Sequence, residues 1–270
     1  SLAHSCDVFY YELAQRVGID RIAEMARRLG IGVKHDLPMS AITEGIAPDR
    51  AWKKARYGQE WQVGDSVNAS IGQGYVLASP LQLAVMTARL ATGLGVKPRL
   101  VRAIDGVPEP DPQFAELGLN PLNLRTARAG MDAVMNSDRG TARRARIAAA
   151  EWRMAGKTGT SQVRNITAAE RARGVISNDQ LPWNRRDHAL FVCYAPFEAP
   201  RYAVSVVVEH GGGGSAVAAP IARDILLFAL AGGLPPITAY PDDGTRAKVQ
   251  EMWSRMDLMP QAAPTARARA

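Results

Sequence analysis

Residues 154–163 read MAGKTGTSQV, and the Gly156-Lys157-Thr158 at their centre admits two readings that lead to different folds. One is the end of a phosphate-cradling loop, G-x-x-x-x-G-K-T, in which glycines let backbone N–H groups wrap the phosphates. The first glycine of that pattern would fall at position 151, which is Glu151, a carboxylate that repels phosphate. The stretch ahead of it, RIAAAEWRMA, is not the buried apolar strand that feeds such a loop. The other reading is a short strand. Thr158, Thr160 and Val163 favour extended backbone, and a glycine inside a strand, here Gly159, marks close approach of a ligand or of another chain segment. Nucleotide is rejected as a ligand; three residues are a weak signal for the strand, and a Lys-Thr-Gly turn on a solvated surface stands against it unless other blocks of the chain support the strand.

Composition narrows what surrounds that strand. With 270 residues and 47% hydrophobic content the chain can bury a sizeable core. The formal charge is +7, but the basic residues are scattered and no aromatic-interleaved patch accompanies them, which argues against nucleic acid. The most apolar stretch, IARDILLFALAGGL, is interrupted by Arg223 and Asp224, so no membrane span is expected. Two cysteines, Cys6 and Cys193, build neither a disulfide framework nor a zinc knuckle. The opening SLAHSCDVFY has no signal-peptide pattern and reads as a start in mid-fold.

Periodicity predicts helices over Val8–Val17 and Ile19–Leu29, stopped by Gly18 and Gly30. Residues 31–70, rich in Gly, Pro, Asp and Trp, are expected to run as a long irregular excursion. Ser79, Pro80 and Gln82 form a capping box that opens a helix with Leu81, Leu83, Ala84 and Met86 facing inward. An extended piece is expected at KPRLVRAI and a helix over Leu124–Met135. HALFVCYAP and RYAVSVVVEHGG predict a hairpin of buried strands, and SAVAAPIARDILLFAL a last helix covering it. Gly211–Gly214 are expected to form a flexible turn, His188 to make a structural hydrogen bond, and Arg164, Arg171, Arg173, Arg185 and Arg186 to lie in a solvated loop. The division expected is a domain over 1–235 and an extension over 236–270, disordered from about residue 260.

Several blocks in this order resemble the transpeptidase domain of the penicillin-binding proteins. SCD at 5–7 resembles the family's second motif, IGQGYVLASPLQLA its GQG block, GMDAVMNSDRGTA its GM…GTA block, AGKTGTSQV its third motif and HALFVCYAP the strand after it. Asp7 and the RRDHALF run are most similar to the elongation-type enzymes of Gram-negative bacteria. The resemblance implies an α+β fold, an antiparallel sheet flanked by helices. The family's first motif is Ser-x-x-Lys, and no serine of the 270 residues has a lysine three positions on. The chain is therefore expected to be the C-terminal part of such a domain, incomplete at its N-terminus and inactive without the upstream segment.

What the resemblance implies for the site is acyl transfer. An upstream serine would attack the penultimate D-Ala carbonyl of a peptidoglycan stem peptide, and a neighbouring strand's amine would resolve the acyl-enzyme. Ser5 would relay protons, Asp7 would orient that network, and Lys157 would hold positive charge beside the substrate carboxylate. Thr158 and Thr160 would offer hydroxyls, the Thr160 N–H would serve the oxyanion hole, and Gly159 would let the acyl chain lie against the strand. The plainer alternative is that Ser5 or Asp7 only caps the next helix. No cofactor is required; some elongation-type relatives imply a zinc site in which Cys6 would be one ligand, the others lying outside this chain, against the default of a packed thiol. Implied partners are stem peptides, β-lactams and a membrane-embedded glycan polymerase, at the periplasmic face of the inner membrane. A serine β-lactamase-like hydrolase and a non-catalytic module of a wall-synthesis complex remain the competing readings.

Overall fold

The structure is a computed structural model that describes residues 1–164 and 166–256. The expected disorder from about residue 260 lies outside those residues. Helix α1, Asp7–Val17, and α2, Ile19–Leu29, meet at Gly18, whose φ of 84° turns the chain between them. They bury little, chiefly Ala14, Ile19 and Ala23.

The excursion over 31–70 is not irregular throughout. It contains α3, Arg50–Tyr57, and α4, Val63–Ser70. Asp49 caps α3 by accepting from the Trp52 N–H at 2.8 Å, and Gln62 with Asp65 forms a capping box on α4. Lys53, buried in α3, pairs with Asp65 at 2.5 Å while the Trp61 and Tyr75 rings lie 5.9 and 5.6 Å from its ammonium. Burial of a charge is tolerated because its counterion and the aromatic faces replace water. Helices of eight residues, one of them reading RAWKKARY, carry too few apolar repeats to show a helical period.

Helix α5, Pro80–Thr92, opens on the expected Ser79–Gln82 box. Its inward face differs from the expected one: Gln82, Val85, Thr87 and Ala91 are buried, while Leu81, Leu83, Ala84 and Met86 are only half-buried. Gln82 reaches inward because its amide donates to the carbonyls of Val33 at 2.9 Å and Glu44 at 2.6 Å, closing the loop before the helix. Of KPRLVRAI, only the last two residues pair, as β1, Ala103–Ile104, with β2, Val107–Pro108. Helix α6 runs from Pro121 to Asn136.

The central sheet is antiparallel in the order β3-β4-β5, with β3 at Ala155–Ser161, β4 at His188–Ala195 and β5 at Tyr202–Val208. Register follows from the pairs Lys157–Val192, Thr160–Ala189 and Val192–Ser205. A short helix, α7, Ala168–Arg173, lies in the connection from β3 to β4. Alternation sorts the strands onto two faces. Phe191, Cys193, Val204 and Val206 pack with Met135, Met154 and the apolar side of α8, Ala219–Ala231. Ala155, Tyr194 and Ala203 pack with Ala91 of α5 and Met131 of α6 on the other face. Residues 214–231 are long and apolar enough to cross a membrane by composition, yet here Ala222, Leu226 and Leu227 are sealed against the sheet and Arg223 is buried beside Asp224. Helix α9, Asp243–Arg255, folds back and adds Val249 and Trp253 to the same core.

Candidate active site

Strand β3 is paired on one side only, with β4, so its other edge is free among the described residues. Three tethers fix where it starts. Arg153, just ahead of it, forks onto both carboxylate oxygens of Asp132 at 2.7 and 2.6 Å, and Asn136 donates to the Met154 carbonyl at 3.0 Å, so α6 holds the strand's entry. Gly156 has no room for a side chain: a Cβ would stand 2.5 Å from the Phe191 ring. Gly214 presses on the strand from the turn before α8, where a Cβ would meet the Leu190 carbonyl at 2.2 Å and the Gly159 carbonyl at 2.5 Å. The turn expected to be flexible is thus packed onto Gly159 itself.

The SCD segment reaches the strand from the other direction. Leu2 lies on Gly130 of α6, where a Cβ would come within 2.8 Å of it, and the Thr141 N–H bonds the Ala3 carbonyl at 3.2 Å. These contacts explain the GM and GTA blocks: both are seats for the segment bearing Ser5. Ser5 takes the left-handed conformation, φ 48° and ψ 54°, uncommon for a residue with a side chain. Its Oγ accepts from Lys157 Nζ. The N-cap of α1 is Cys6, so the plainer expectation that Ser5 caps the helix is overturned: its hydroxyl is turned to the strand instead.

Lys157 Nζ also donates to the Thr158 carbonyl at 2.8 Å and lies 3.4 Å from Thr158 Oγ1, which is 3.5 Å from Thr141 Oγ1. Burial lowers the Lys157 pKa from the ordinary lysine value, and the negative charge of Asp7 works against that shift. Ser5, Lys157 and Thr158 are therefore brought together, with the charge of Asp7 acting on the ammonium. Gly159 continues the strand, and Thr160, exposed, lies at its outer end. The site thus offers a half-buried cation, hydroxyls on both sides of it, and a free strand edge. That set can bind a carboxylate and pair with an extended peptide.

Cys6 stands exposed, and among the described residues no three His, Cys, Asp or Glu side chains converge on a metal position. Cys6 supplies at most one of the ligands a zinc site takes, and no step below passes through a metal. Cys193 is buried, and burial pushes its thiol far above the ordinary range. His188 accepts from the His210 N–H at 2.9 Å, pinning the end of β4. Arg164 departs from the solvated-loop expectation: it pairs with Glu170 at 2.6 Å and is nearly buried, whereas Arg171, Arg173 and Arg185 are exposed. Gln73, which sequence reasoning placed in a block but not in the site, donates to the Thr160 carbonyl at 3.0 Å.

Residues 1–227 match the penicillin binding protein transpeptidase domain family. The chain is 35% identical to the peptidoglycan D,D-transpeptidase MrdA of Haemophilus influenzae over 89% of its own length and 37% of that protein. It is 33% identical to MrdA of Escherichia coli K12 over 80% of its length and 34% of that protein. The chain spans about a third of the length of these relatives. Among solved structures it resembles Pseudomonas aeruginosa PBP2 in complex with WCK 5153, with a TM-score of 0.69 and 38% identity, over 87% of this chain and 50% of that one. It also resembles the Helicobacter pylori PBP2 complexed with MreC, with a TM-score of 0.70 and 31% identity, over 86% of this chain and 40% of that one.

Proposed function

The chain belongs to the penicillin-binding-protein transpeptidase family, and from that premise we propose that it carries the substrate-binding wall of a peptidoglycan D,D-transpeptidase that cross-links stem peptides during cell elongation. The observation that carries this reading is Lys157, held on β3 between Ser5 Oγ and the Thr158 carbonyl and backed by Asp7. A stem peptide ending in D-Ala-D-Ala lies along the free edge of β3 with its carboxylate against Lys157 and the hydroxyls of Thr158 and Thr160. The Thr160 N–H donates to the penultimate D-Ala carbonyl, where negative charge develops.

The nucleophile is the hydroxyl of a Ser-x-x-Lys pair, which these 270 residues do not contain. Its oxygen bonds to the penultimate carbonyl carbon, the bond to the terminal D-Ala nitrogen breaks, and that nitrogen leaves as an amine carrying a proton relayed through Ser5. The resulting ester is consumed by an amine of a second stem peptide, or trapped when the acylating agent is a β-lactam. A polymerase of the elongation complex is the partner this reading calls for, at the periplasmic face of the inner membrane. In support, one relative of 32% identity comes from a structure described as a peptidoglycan synthase complex coordinating polymerization and crosslinking.

The test is a titration of the chain with an N-acylated peptide ending in D-Ala-D-Ala. The expected result is binding that is lost on Lys157→Ala and absent for the L-Ala-L-Ala counterpart. Equal binding of both peptides, or an unaffected Lys157→Ala variant, refutes it.

A further inference from the structure

We propose that Gln73 is a placeholder for the substrate strand: its side-chain amide occupies the Thr160 carbonyl of the free chain, and a stem peptide must displace it to bind. The inference rests on the reading of β3 as the peptide-binding edge and adds a residue to it.

Strand geometry identifies what is being occupied. In a strand, the N–H and C=O of one residue point to the same side, and those of the next residue to the opposite side. Thr158 and Thr160 have carbonyls that accept from Lys157 Nζ at 2.8 Å and from Gln73 Nε2 at 3.0 Å. Neither donor belongs to β4, so both carbonyls, and with them the Thr160 N–H, face the free edge. An antiparallel peptide residue set opposite Thr160 exchanges two hydrogen bonds with it, accepting from its N–H and donating to its carbonyl. If the penultimate D-Ala carbonyl takes the Thr160 N–H, the N–H of that same D-Ala must take the Thr160 carbonyl. That is the acceptor Gln73 holds.

The presentation of Gln73 is built rather than incidental. It sits between Gly72 and Gly74, both in the left-handed region at φ 75° and 69°. Its own N–H is tied to the Asn68 carbonyl at 3.0 Å at the end of α4. The lobe of α3 and α4, closed around Lys53, thereby delivers one amide to one carbonyl of the catalytic strand, 87 residues away in the chain. The contact satisfies a carbonyl that would otherwise be an open sheet edge. It also sets a threshold for ligands: a molecule reaching Thr160 exchanges its bond for Gln73's, while one that stops at Lys157 leaves Gln73 undisturbed.

The experiment compares the chain with Gln73→Ala, using the N-acylated D-Ala-D-Ala peptide and propionate, which presents a carboxylate and methyl but no penultimate residue. Dissociation constants and the Gln73 side-chain amide resonances are read by NMR, with thermal unfolding as the check on folding. The variant is expected to bind the peptide roughly three- to tenfold more tightly, the range set by the net worth of one hydrogen bond, and propionate unchanged. In the wild type, peptide but not propionate is expected to move the Gln73 amide resonances to those of a solvated side chain. Peptide affinity equal to or weaker than wild type in a folded variant, or Gln73 resonances unmoved by bound peptide, overturns the inference and leaves the substrate reading standing. Binding of propionate but of peptide by neither protein removes the substrate reading, and the inference with it.

Discussion

Lys157 is where burial, charge and function meet. Removing an ammonium from water disfavours its charged form, and that loss is the larger influence on this side chain; Asp7 restores part of the charge. Carboxylate binding needs the ammonium, so affinity for a D-Ala-D-Ala peptide should be present at neutral pH and fall as pH rises through the Lys157 pKa. Since that pKa is lowered, the midpoint lies below the ordinary lysine value of about 10.4. Asp7→Asn removes the opposing influence and should move the midpoint lower still, which the Lys157 Cε resonance followed against pH will report; an unmoved midpoint would separate Asp7 from the site. At this scale the sequence was informative wherever a motif carries its own chemistry: Lys157, singled out through the family resemblance, bonds Ser5 and reaches Thr158, two other residues named with it. Gln73 was not legible as a site residue, because nothing local to IGQG says which carbonyl its amide will meet.

Elements hold these residues in place through contacts that are long in sequence and short in space. The capping box of α5 could be read directly, since Ser79 and Gln82 are neighbours on one turn. The burial of Gln82 could not, because its partners are the carbonyls of Val33 and Glu44. The turn ahead of α8 makes the same point with glycine. Gly213 and Gly214 look alike in the sequence, yet a Cβ on Gly213 meets nothing within 4 Å, whereas one on Gly214 would run into the backbone of β3 and β4. Gly214→Ala should therefore push the turn off Gly159, costing about 1 to 3 kcal/mol of stability as an overpacked contact and weakening peptide binding along β3. Gly213→Ala, whose φ of −95° suits any residue, should do neither. Denaturant unfolding and peptide titration of the two variants side by side decide it, and matched behaviour would show that Gly214 does not press on the strand.

At the largest scale, the elements of these 270 residues are arranged around the three-stranded sheet that carries the proposed binding wall. Helices α5 and α6 close one face of the sheet and α8 the other, α9 adds Val249 and Trp253 to the core on the α8 side, and the α3–α4 lobe reaches across to the free edge of β3. At the opposite side β5 pairs only with β4 among the described residues, and Ile221, Ile225 and Phe228 of α8, the helix packed on β4 and β5, stand exposed at helical spacing. An unpaired apolar strand edge and an exposed apolar helix face each favour association. Chemistry and association can be followed in one experiment on these 270 residues. No serine here has a lysine three positions on, and Ser5, the hydroxyl nearest Lys157, receives a hydrogen bond from that ammonium rather than giving its proton to a base. A fluorescent penicillin should therefore form no covalent adduct with this chain, even at concentrations where it occupies the β3 edge reversibly. Light scattering of the same samples should show association rising with protein concentration, and Tyr202→Lys, which places a charge at the exposed start of β5, should reduce it. A labelled band surviving denaturing electrophoresis would mean that one of the chain's own hydroxyls is activated after all, with Ser5→Ala identifying whether it is the one beside Lys157.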